Sequence, residues 1–429
     1  MDFQDAVRIE TAAHRQATSF ERRRKYRVAY LVTHPIQYQA PLIRLISAQS
    51  DIDLTVFFQS DMSLGAYDDQ GFGREVKWDV PLVDGYRHEF LPGLWRHGPV
   101  TAQRPINWGF AHRLTKARFD ALWVHGYARW VNWAAMLCAR ASGLAVLVRD
   151  EATLFSAQRS LVRQQAKRVF FSLLSNIVDG FLAIGSANRD YYLAQGVPSQ
   201  RIFSMPYCVD NEFFATRARE PAADSRQLRG AHGIPAGGAV ILYASKFEPR
   251  KRPKDLLLAY EKLIGRLTGG VKPHLLFLGD GELRASLEAE ARSKRLDSVK
   301  FLGFRNQSEL PQYYALCDVF VLPSTNEPWG LVVNEVMATG KPVIVSDSVG
   351  CAPDLVHGGR NGFVFPTGDV DALTEALARV VGDGAEAARM GKESRELIER
   401  WSFAEDIAGL RLALRTVLGW EADLPDGHI

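Results

Sequence analysis

The sequence predicts an α/β protein with two Rossmann-like domains facing across a cleft, each a parallel sheet flanked by helices. Its 429 residues exceed what one hydrophobic core usually organises. Strand-like apolar runs without polar alternation are separated by helical stretches, which indicates buried parallel strands. This pattern occurs twice, before and after a polar, Gly- and Pro-containing stretch at 215–238, so two similar domains are expected.

Each predicted sheet is built from six apolar runs. Those of the first sheet are 28–32, 54–58, 121–124, 145–148, 180–184 and 202–205. Those of the second sheet are 240–243, 275–278, 299–302, 319–322, 343–345 and 363–365. Because doubly wound sheets bind ligands outside the carboxyl ends of their strands, polar residues that follow these runs are the candidate functional residues.

Four segments follow from this pattern. Residues 1–25 are polar and end in a basic run, so they are predicted to be a flexible extension. Residues 26–214 form the first predicted domain and residues 215–400 the second. In the remaining segment, 401–429, a last helix over about 403–418 stands outside the second alternation of strands and helices.

The composition is that of an ordinary globular protein, with 47% hydrophobic and 24% charged residues. A net charge of +3 is too small to indicate a nucleic-acid partner. The four cysteines are far apart without a Cys-x-x-Cys pair, which favours reduced thiols over disulfides or zinc ligands. Without a recognisable secretory signal or membrane-spanning run, a cytoplasmic location is expected.

Two basic segments leave contact with a membrane open. The predicted extension ends in the basic run 22–25. Residues 157–174 have the pattern of a basic amphipathic helix that contains Phe and Leu residues. A helix packed on its sheet with the charged face in water is the simpler interpretation of the second segment. Peripheral contact with anionic lipid at the inner membrane surface is the alternative.

Two glutamates, Glu327 and Glu335, bracket a short segment that reads as the start of a helix. Pro328 suits the first helical turn, and Gly340 ends the apolar run that follows. Eight residues of helix would place the carboxylates roughly 12 Å apart along the axis. That separation suits the two polyol ends of a nucleotide sugar. An ordinary pair of helical glutamates is the alternative.

A basic loop follows the first strand of the second domain. Lys246 and Lys251 lie in this loop, where paired cations would suit a diphosphate, although a solvated basic surface is the alternative. The next strand ends in the turn Gly279-Asp280-Gly281. The segment with the two glutamates also follows a strand, so the three features are expected to meet at one edge of the sheet.

This combination resembles the donor half of the retaining glycosyltransferases of family 4, which have the GT-B fold. The resemblance is carried by Ser324-x-x-Glu327-Pro-Trp-Gly-Leu-x-x-x-Glu335-x-Met-Ala, by Lys246 and Lys251, and by Gly279-Asp280-Gly281. It implies that the two lysines bind the donor diphosphate. It also implies that Glu327 lies near the hydroxyls of the transferred sugar and Glu335 near those of the ribose.

Further positions follow from the same resemblance. Backbone N–H groups around Trp329, Gly330 and Leu331 would face the phosphates, and Gly279 would lie at the nucleotide. Ser245 departs from the glycine usual before the first cation, without removing a charge. The last helix would cross back to brace the first domain.

In the first half, His125 ends a strand at the edge predicted to face the cleft. A histidine bonded to backbone is the alternative, but the resemblance places a cleft histidine here, beside the donor sugar. His34 and Gln37 follow the first strand and are expected to line the acceptor side. Arg149 ends another strand, where acceptor binding and a surface turn of paired charges both stay open.

The resemblance implies glycosyl transfer with retained anomeric configuration, from a UDP-, GDP- or other nucleotide sugar to a hydroxyl of a glycan, a lipid-linked or a small-molecule acceptor. No Asp-x-Asp cluster in metal-friendly surroundings occurs, so neither a metal nor another cofactor is expected. A nucleotide-sugar epimerase, a pyridoxal-phosphate-dependent phosphorylase and an inactive nucleotide-binding partner subunit are the alternatives.

Overall fold

The fold contains two parallel sheets, each covered by helices. The structure is a computed structural model, and it describes residues 24–98, 100–155, 161–220, 225–267 and 271–422. Nearly all of the predicted extension 1–25 therefore lies outside the described residues. The two sheets confirm the predicted α/β class with parallel strands flanked by helices.

The strands of the N-terminal half form a seven-stranded parallel sheet and two short hairpins. The strands are β1 Tyr26–Val32, β2 Ile52–Phe58, β3 Tyr67–Asp69, β4 Arg74–Val76, β5 His88–Phe90, β6 Gly93–Leu94, β7 Ile106–Asn107, β8 Ala121–His125, β9 Ala145–Arg149, β10 Gly180–Ala183 and β11 Ile202–Ser204. Those of the second, six-stranded sheet are β12 Val240–Ala244, β13 His274–Leu278, β14 Val299–Gly303, β15 Val319–Leu322, β16 Val343–Ser346 and β17 Gly362–Phe365.

Helices connect most of these strands. They are α1 Gln39–Ser47, α2 Phe110–Ala117, α3 Trp130–Ala141, α4 Leu161–Leu174, α5 Ser186–Ala194, α6 Asn211–Arg217, α7 Ser225–Ala231, α8 Pro253–Arg266, α9 Arg284–Ser293, α10 Leu310–Leu316, α11 Leu331–Ala338, α12 Ala352–Leu355, α13 Val370–Val381, α14 Gly384–Ile398 and α15 Phe403–Leu418. Every predicted apolar run contributes a strand, whereas β5 and the hairpin strands were not predicted.

Strand order places one topological switch point in each sheet. The first sheet runs β11-β10-β9-β8-β1-β2-β5, so the chain reverses its direction of travel between β1 and β8. The second runs β14-β13-β12-β15-β16-β17, with the reversal between β12 and β15. Ligands of open α/β sheets bind outside the carboxyl ends of the strands at these reversals.

The last helix, α15, packs on the N-terminal sheet although it follows the C-terminal one. Phe403, Ile407 and Leu410 are buried in one cluster with residues of β1, β2 and β10. The helix backbone approaches β11 so closely that a Cβ on Gly409 would lie 1.9 Å from the carbonyl oxygen of Ser204. Glycine is therefore required at this crossing.

The hairpin β3–β4 reaches from the N-terminal domain to the C-terminal one. Phe72 in its turn packs against Phe304, with ring centroids 4.8 Å apart. Just beyond the hairpin, the side chain of Asn306 donates a hydrogen bond of 2.6 Å to the carbonyl of Lys77. The hairpin thereby closes one side of the interdomain cleft.

Candidate functional site

The switch point of the C-terminal sheet is built by the loops after β12 and β15. The two loops are tied together because the Thr325 N–H donates to the carbonyl of Arg250 at 2.7 Å. The backbone of Glu327 bonds in turn to the segment after β16, through Ser348 and Gly350. This backbone network fixes the position of Glu327 at the edge of the crevice.

Lys251 and Glu327 form a buried ion pair at this crevice. The Lys251 ammonium donates to a carboxylate oxygen of Glu327, and both side chains are almost fully buried. Arg250 contributes a second cation 3.6 Å from the same oxygen. Held in this way, the ammonium is preorganised to bind a phosphate, and the carboxylate is preorganised to accept hydrogen bonds from the hydroxyls of a ligand.

Lys246 is bound by the other domain. Its ammonium lies 2.7 Å from Oδ1 of Asp69 at the end of β3, and 4.8 Å from the centre of the Phe72 ring. Gly71 between them leaves room for the lysine, because a Cβ there would lie 2.5 Å from its Cδ atom. The structure therefore brings Lys246 to the interdomain cleft, with an aspartate as its present anionic partner.

Glu335 lies on α11 and is buried. The hydroxyl of Tyr314 donates a hydrogen bond of 2.6 Å to its carboxylate. Burial raises the pKa of Glu335 to about 7, although hydrogen bonds from Tyr314 and Gln307 partly oppose that rise. A buried carboxylate of this kind can accept hydrogen bonds from the two hydroxyl groups of a diol.

The helix that carries Glu335 is shorter than predicted. It begins at Leu331 rather than at Pro328, because Gly330 takes a left-handed conformation with φ 96° immediately before it. Glu327 therefore lies on an extended segment, and the estimate of about 12 Å along one helix axis does not apply. In the first turn of α11 the Val333 N–H donates to the carbonyl of Gly330 at 2.8 Å, so Leu331 and Val332 carry the N–H groups that lack an intrahelical acceptor by geometry.

Trp329 lies in the core, so its side chain is not at the ligand. Its indole N–H donates to Asn334 at 2.9 Å, and its ring packs 5.3 Å from that of Trp401. A Cβ on Gly185 of the other domain would lie only 2.1 Å from this ring. The residue joins the two domains, and only its backbone remains a candidate for contact with phosphate.

A cavity of about 160 Å³ lies beside Glu335, between the two domains. Gly279 and Arg305 line it from the C-terminal domain, and Gln37 and Trp78 from the N-terminal domain. Gly279 is required here, because with φ 127° its Cβ would lie 2.0 Å from the carbonyl oxygen of Ser245.

A second cavity, of about 160 Å³, shares Gln37 with the first. Its other walls come from α1 and from the connection between the domains, including Tyr38 and Phe213. Gln37 therefore lies between the two cavities, on the side of the cleft predicted for the acceptor.

His125 ends β8 at the switch point of the N-terminal sheet. Its Nδ1 lies 3.2 Å from the Tyr30 hydroxyl, and its Nε2 lies 3.4 Å from the Tyr207 hydroxyl and 3.9 Å from Oε1 of Glu151. Burial alone would raise the pKa of Glu151, but the hydrogen bond and charge of His125 and the Tyr207 hydroxyl leave this pKa below its ordinary value.

His34 follows β1 at the same switch point. Its Nδ1 lies 3.0 Å from the hydroxyl of Thr33. Burial lowers the pKa of His34 to about 4, assisted by the charges of His125 and Arg129. His34 is consequently neutral at physiological pH and is confined to hydrogen bonding.

Arg149 is not on the acceptor side, and that interpretation is wrong. Its guanidinium is buried and donates to Asp406 of α15 at 2.7 Å and to the carbonyl of Met205 at 2.8 Å. Burial raises the pKa of Asp406 to about 6, and the charge of Arg149 limits this rise. The pair anchors α15 to the sheet.

Several residues at the site were not predicted from the sequence. They are Asp69, Glu151, Tyr207, Tyr314 and Asn334. Asn334 occupies an unspecified position of the segment that carries the resemblance, and the other four act through partners distant along the chain. Only the position of Glu151, two residues beyond β9, gave a signal.

Among the residues that the structure describes, no group of three or more His, Cys, Asp or Glu side chains could hold a metal ion. Within the same ranges no helix is both long and apolar enough to cross a membrane.

Comparison with known proteins finds a family match in the C-terminal half. Residues 224–397 match the family described as Glycosyl transferases group 1. The C-terminal domain is similar to the group 1 glycosyl transferases over this range. The matched range contains Lys246, Lys251, Glu327 and Glu335, that is, all four charged residues predicted at the donor.

Individual relatives are similar mainly over part of the chain. The D-inositol 3-phosphate glycosyltransferase of Saccharomonospora viridis is 31% identical over 202 residues, which are 46% of this chain and 45% of that protein. The GDP-mannose-dependent alpha-mannosyltransferase of Mycobacterium tuberculosis is 30% identical over 218 residues, covering 51% and 52%. The chain thus spans about half the length of the curated relatives it matches.

A solved structure extends the likeness to both domains. HepE of Anabaena, in complex with UDP and glucose, superposes with a TM-score of 0.67 at 17% identity, over 91% of this chain and 99% of that one. At this identity the likeness concerns the fold, and it confirms the predicted GT-B arrangement of two domains.

Proposed function

We propose that this protein transfers a sugar from a nucleoside-diphosphate sugar to a hydroxyl acceptor, with retention of the anomeric configuration and without a metal ion. The observation that carries the proposal is the buried pair of Lys251 and Glu327 at the switch point of a domain similar to the group 1 glycosyl transferases, next to the cavity of Glu335. A cation, a sugar-binding carboxylate and a ribose-binding carboxylate there suit the three parts of such a donor.

The proposed donor pose spans the crevice between the cavity and His125. The nucleoside occupies the cavity, where its ribose hydroxyls donate to Glu335. The diphosphate lies over the first turn of α11 and contacts Lys251. Lys246 joins it once the diphosphate displaces Asp69. The transferred sugar then lies towards Glu327 and His125.

In the proposed reaction, the bond between the anomeric carbon and the β-phosphate oxygen breaks, and the acceptor oxygen forms its bond from the same face. The acceptor hydroxyl gives its proton to the departing phosphate. Lys251, Lys246 and the N–H groups of α11 stabilise the negative charge that develops on this phosphate, the kind of electrostatic preorganisation that dominates many enzymes. His125 orients the sugar.

The acceptor is proposed to bind from the N-terminal domain, near His34 and Gln37. It is a hydroxyl of a glycan, a lipid-linked molecule or a small molecule. A cytoplasmic site of action is proposed, in keeping with the four free cysteines. The epimerase alternative is disfavoured because the relatives named above are a glycosyltransferase and a mannosyltransferase.

The proposal is tested with a panel of nucleotide sugars. A donor that binds the folded protein raises its melting temperature, and at equal concentration a tighter donor raises it more. The selected donor is then incubated with candidate acceptors in the presence of EDTA, and the anomeric configuration of the product is read by NMR. Product of inverted configuration would overturn the proposed retention. Activity that returns only with magnesium would overturn the proposed independence of a metal ion. Isomerised donor without transfer would favour an epimerase.

A further inference from the structure

Helices α3 and α4 each expose an apolar stripe to solvent. On α3 the stripe consists of Trp130, Ala134, Leu137 and Ala141. On α4 it consists of Val162, Ala166, Val169 and Leu173. Both follow the spacing i, i+4, i+7, i+11, which keeps the side chains on one helix face. Such stripes normally face a core. Here Trp130 is 46%, Val162 78% and Leu173 61% exposed.

The two stripes form one surface. The crossovers β8–α3–β9 and β9–α4–β10 move in the same direction across the sheet, so right-handed connections place both helices on one face. Between them Trp133 packs against Phe170, with ring centroids 5.4 Å apart. Measured about its helix axis, each of these two rings lies about 60–80° from the stripe of the same helix. Because the rings mark the faces where the helices meet, the two stripes lie side by side and point away from the sheet.

The two helices carry charge of one sign. Neither contains an aspartate or a glutamate, and together they carry Arg140, Arg163, Lys167 and Arg168. Arg140 is paired with Asp179, 3.0 Å away, the ammonium of Lys167 lies over three aromatic rings, and Arg168 donates to a backbone carbonyl. Arg163 is exposed beside the stripe of α4. Apolar side chains flanked by such a cation suit an anionic bilayer surface. A second copy fits poorly, because a symmetric contact would bring like charges together.

The surface begins at the cleft. Trp130 is five residues beyond His125, the strand end proposed to face the transferred sugar, so the cleft-side end of the stripe lies near the reaction centre. α4 likewise starts beyond the cleft end of β9 and runs away from it. With both helices lying in the interface, the mouth of the cleft would open at the level of the lipid headgroups.

We propose that the α3–α4 surface docks the protein on an anionic lipid bilayer and presents the cleft to an acceptor carried by a lipid. The docking stands on the exposed stripes and the arginine that flanks them alone. The delivery of a lipid-linked acceptor rests in addition on the proposed transferase function.

Docking is tested by co-sedimentation of the full chain with vesicles of phosphatidylcholine containing roughly a third phosphatidylglycerol. Binding to these vesicles and little binding to pure phosphatidylcholine are expected. The double variant Val162→Ser/Leu173→Ser is expected to bind at least tenfold more weakly. Arg163→Glu should weaken binding about fivefold or more and reduce its salt dependence. Leu412→Ser, at an exposed leucine of α15, is the matched control and should bind like the parent.

Several outcomes would overturn the docking proposal. The first is absence of binding to anionic vesicles, and the second is binding of the double variant equal to that of the parent. The third is a dimer in sedimentation velocity that the double variant abolishes, because that result would assign the surface to a second copy. Because co-sedimentation needs no turnover, its failure leaves the transferase proposal intact. Conversely, vesicle binding without transfer to any acceptor would overturn only the proposed activity and the delivery that rests on it.

Discussion

Replacing Glu335 by glutamine should stabilise the protein at alkaline pH and weaken its binding of nucleoside diphosphates. Burial lifts the pKa of Glu335 from an ordinary 4.5 to about 7. The folded state therefore holds the proton more tightly than the unfolded state. As pH rises from about 4.5 to about 7, the unfolded chain releases this proton first, and the free energy of unfolding falls by up to about 3 kcal/mol.

Glutamine has no titratable proton, so the free energy of unfolding of Glu335→Gln should not fall over this pH range. Its amide oxygen still accepts from Tyr314, which donates to the carboxylate at 2.6 Å in the parent. Urea unfolding at about pH 5 should show little difference, whereas at about pH 8 the variant should be more stable by up to about 3 kcal/mol. Glu396→Gln, at an exposed position on α14, is the control and should show no such change.

The same variant should bind UDP or GDP about tenfold or more weakly, because a neutral amide accepts more weakly from the ribose hydroxyls than a carboxylate does. Isothermal calorimetry at about pH 8 measures this. A stability difference that is the same at both pH values would refute the burial argument. Unchanged or tighter nucleotide binding would refute the ribose role of Glu335.

Three further changes test the charged groups. Lys251→Ala should lower kcat about 100-fold or more with a smaller effect on KM, and an unchanged kcat in steady-state assays would exclude a role in leaving-group stabilisation. Asp69→Asn should tighten nucleoside diphosphate binding about fivefold in calorimetry, because Lys246 no longer exchanges one anion for another; weaker binding would argue against that exchange. Asp406→Asn should destabilise the protein by about 3–5 kcal/mol in urea, since it leaves the charge of Arg149 buried without its partner. Adding Arg149→Met should restore much of that loss, and no recovery would contradict the account.

The sheets were predictable because their strands are buried on both faces and read as continuous apolar runs. The last helix was predictable for a similar reason. Ser402 and Glu405 form a capping box at its start, and Gly419 ends it in a left-handed conformation. In both cases the signal is local, so neighbouring residues contain all the information needed.

The features that the sequence did not reveal are interactions between distant residues. Arg149 meets Asp406 across 257 positions, so nothing near either residue distinguishes a buried pair from an exposed charge. Trp329 is buried against Trp401, a contact that its own segment does not encode. Residues 67–69 of the hairpin contain only a tyrosine and two aspartates, too short and polar for a strand signal, yet they supply the partner of Lys246.

The packing of α15 on the N-terminal sheet has a consequence for synthesis. The ribosome completes β11 roughly 200 residues before it completes this helix, an interval of roughly 10–40 s at typical elongation rates. Throughout that interval Leu182 and Met205, later covered by the helix, are open to other nascent chains. A translational pause inside the C-terminal domain should therefore promote aggregation of the half that is already finished, and chaperone demand should peak before the final turn emerges.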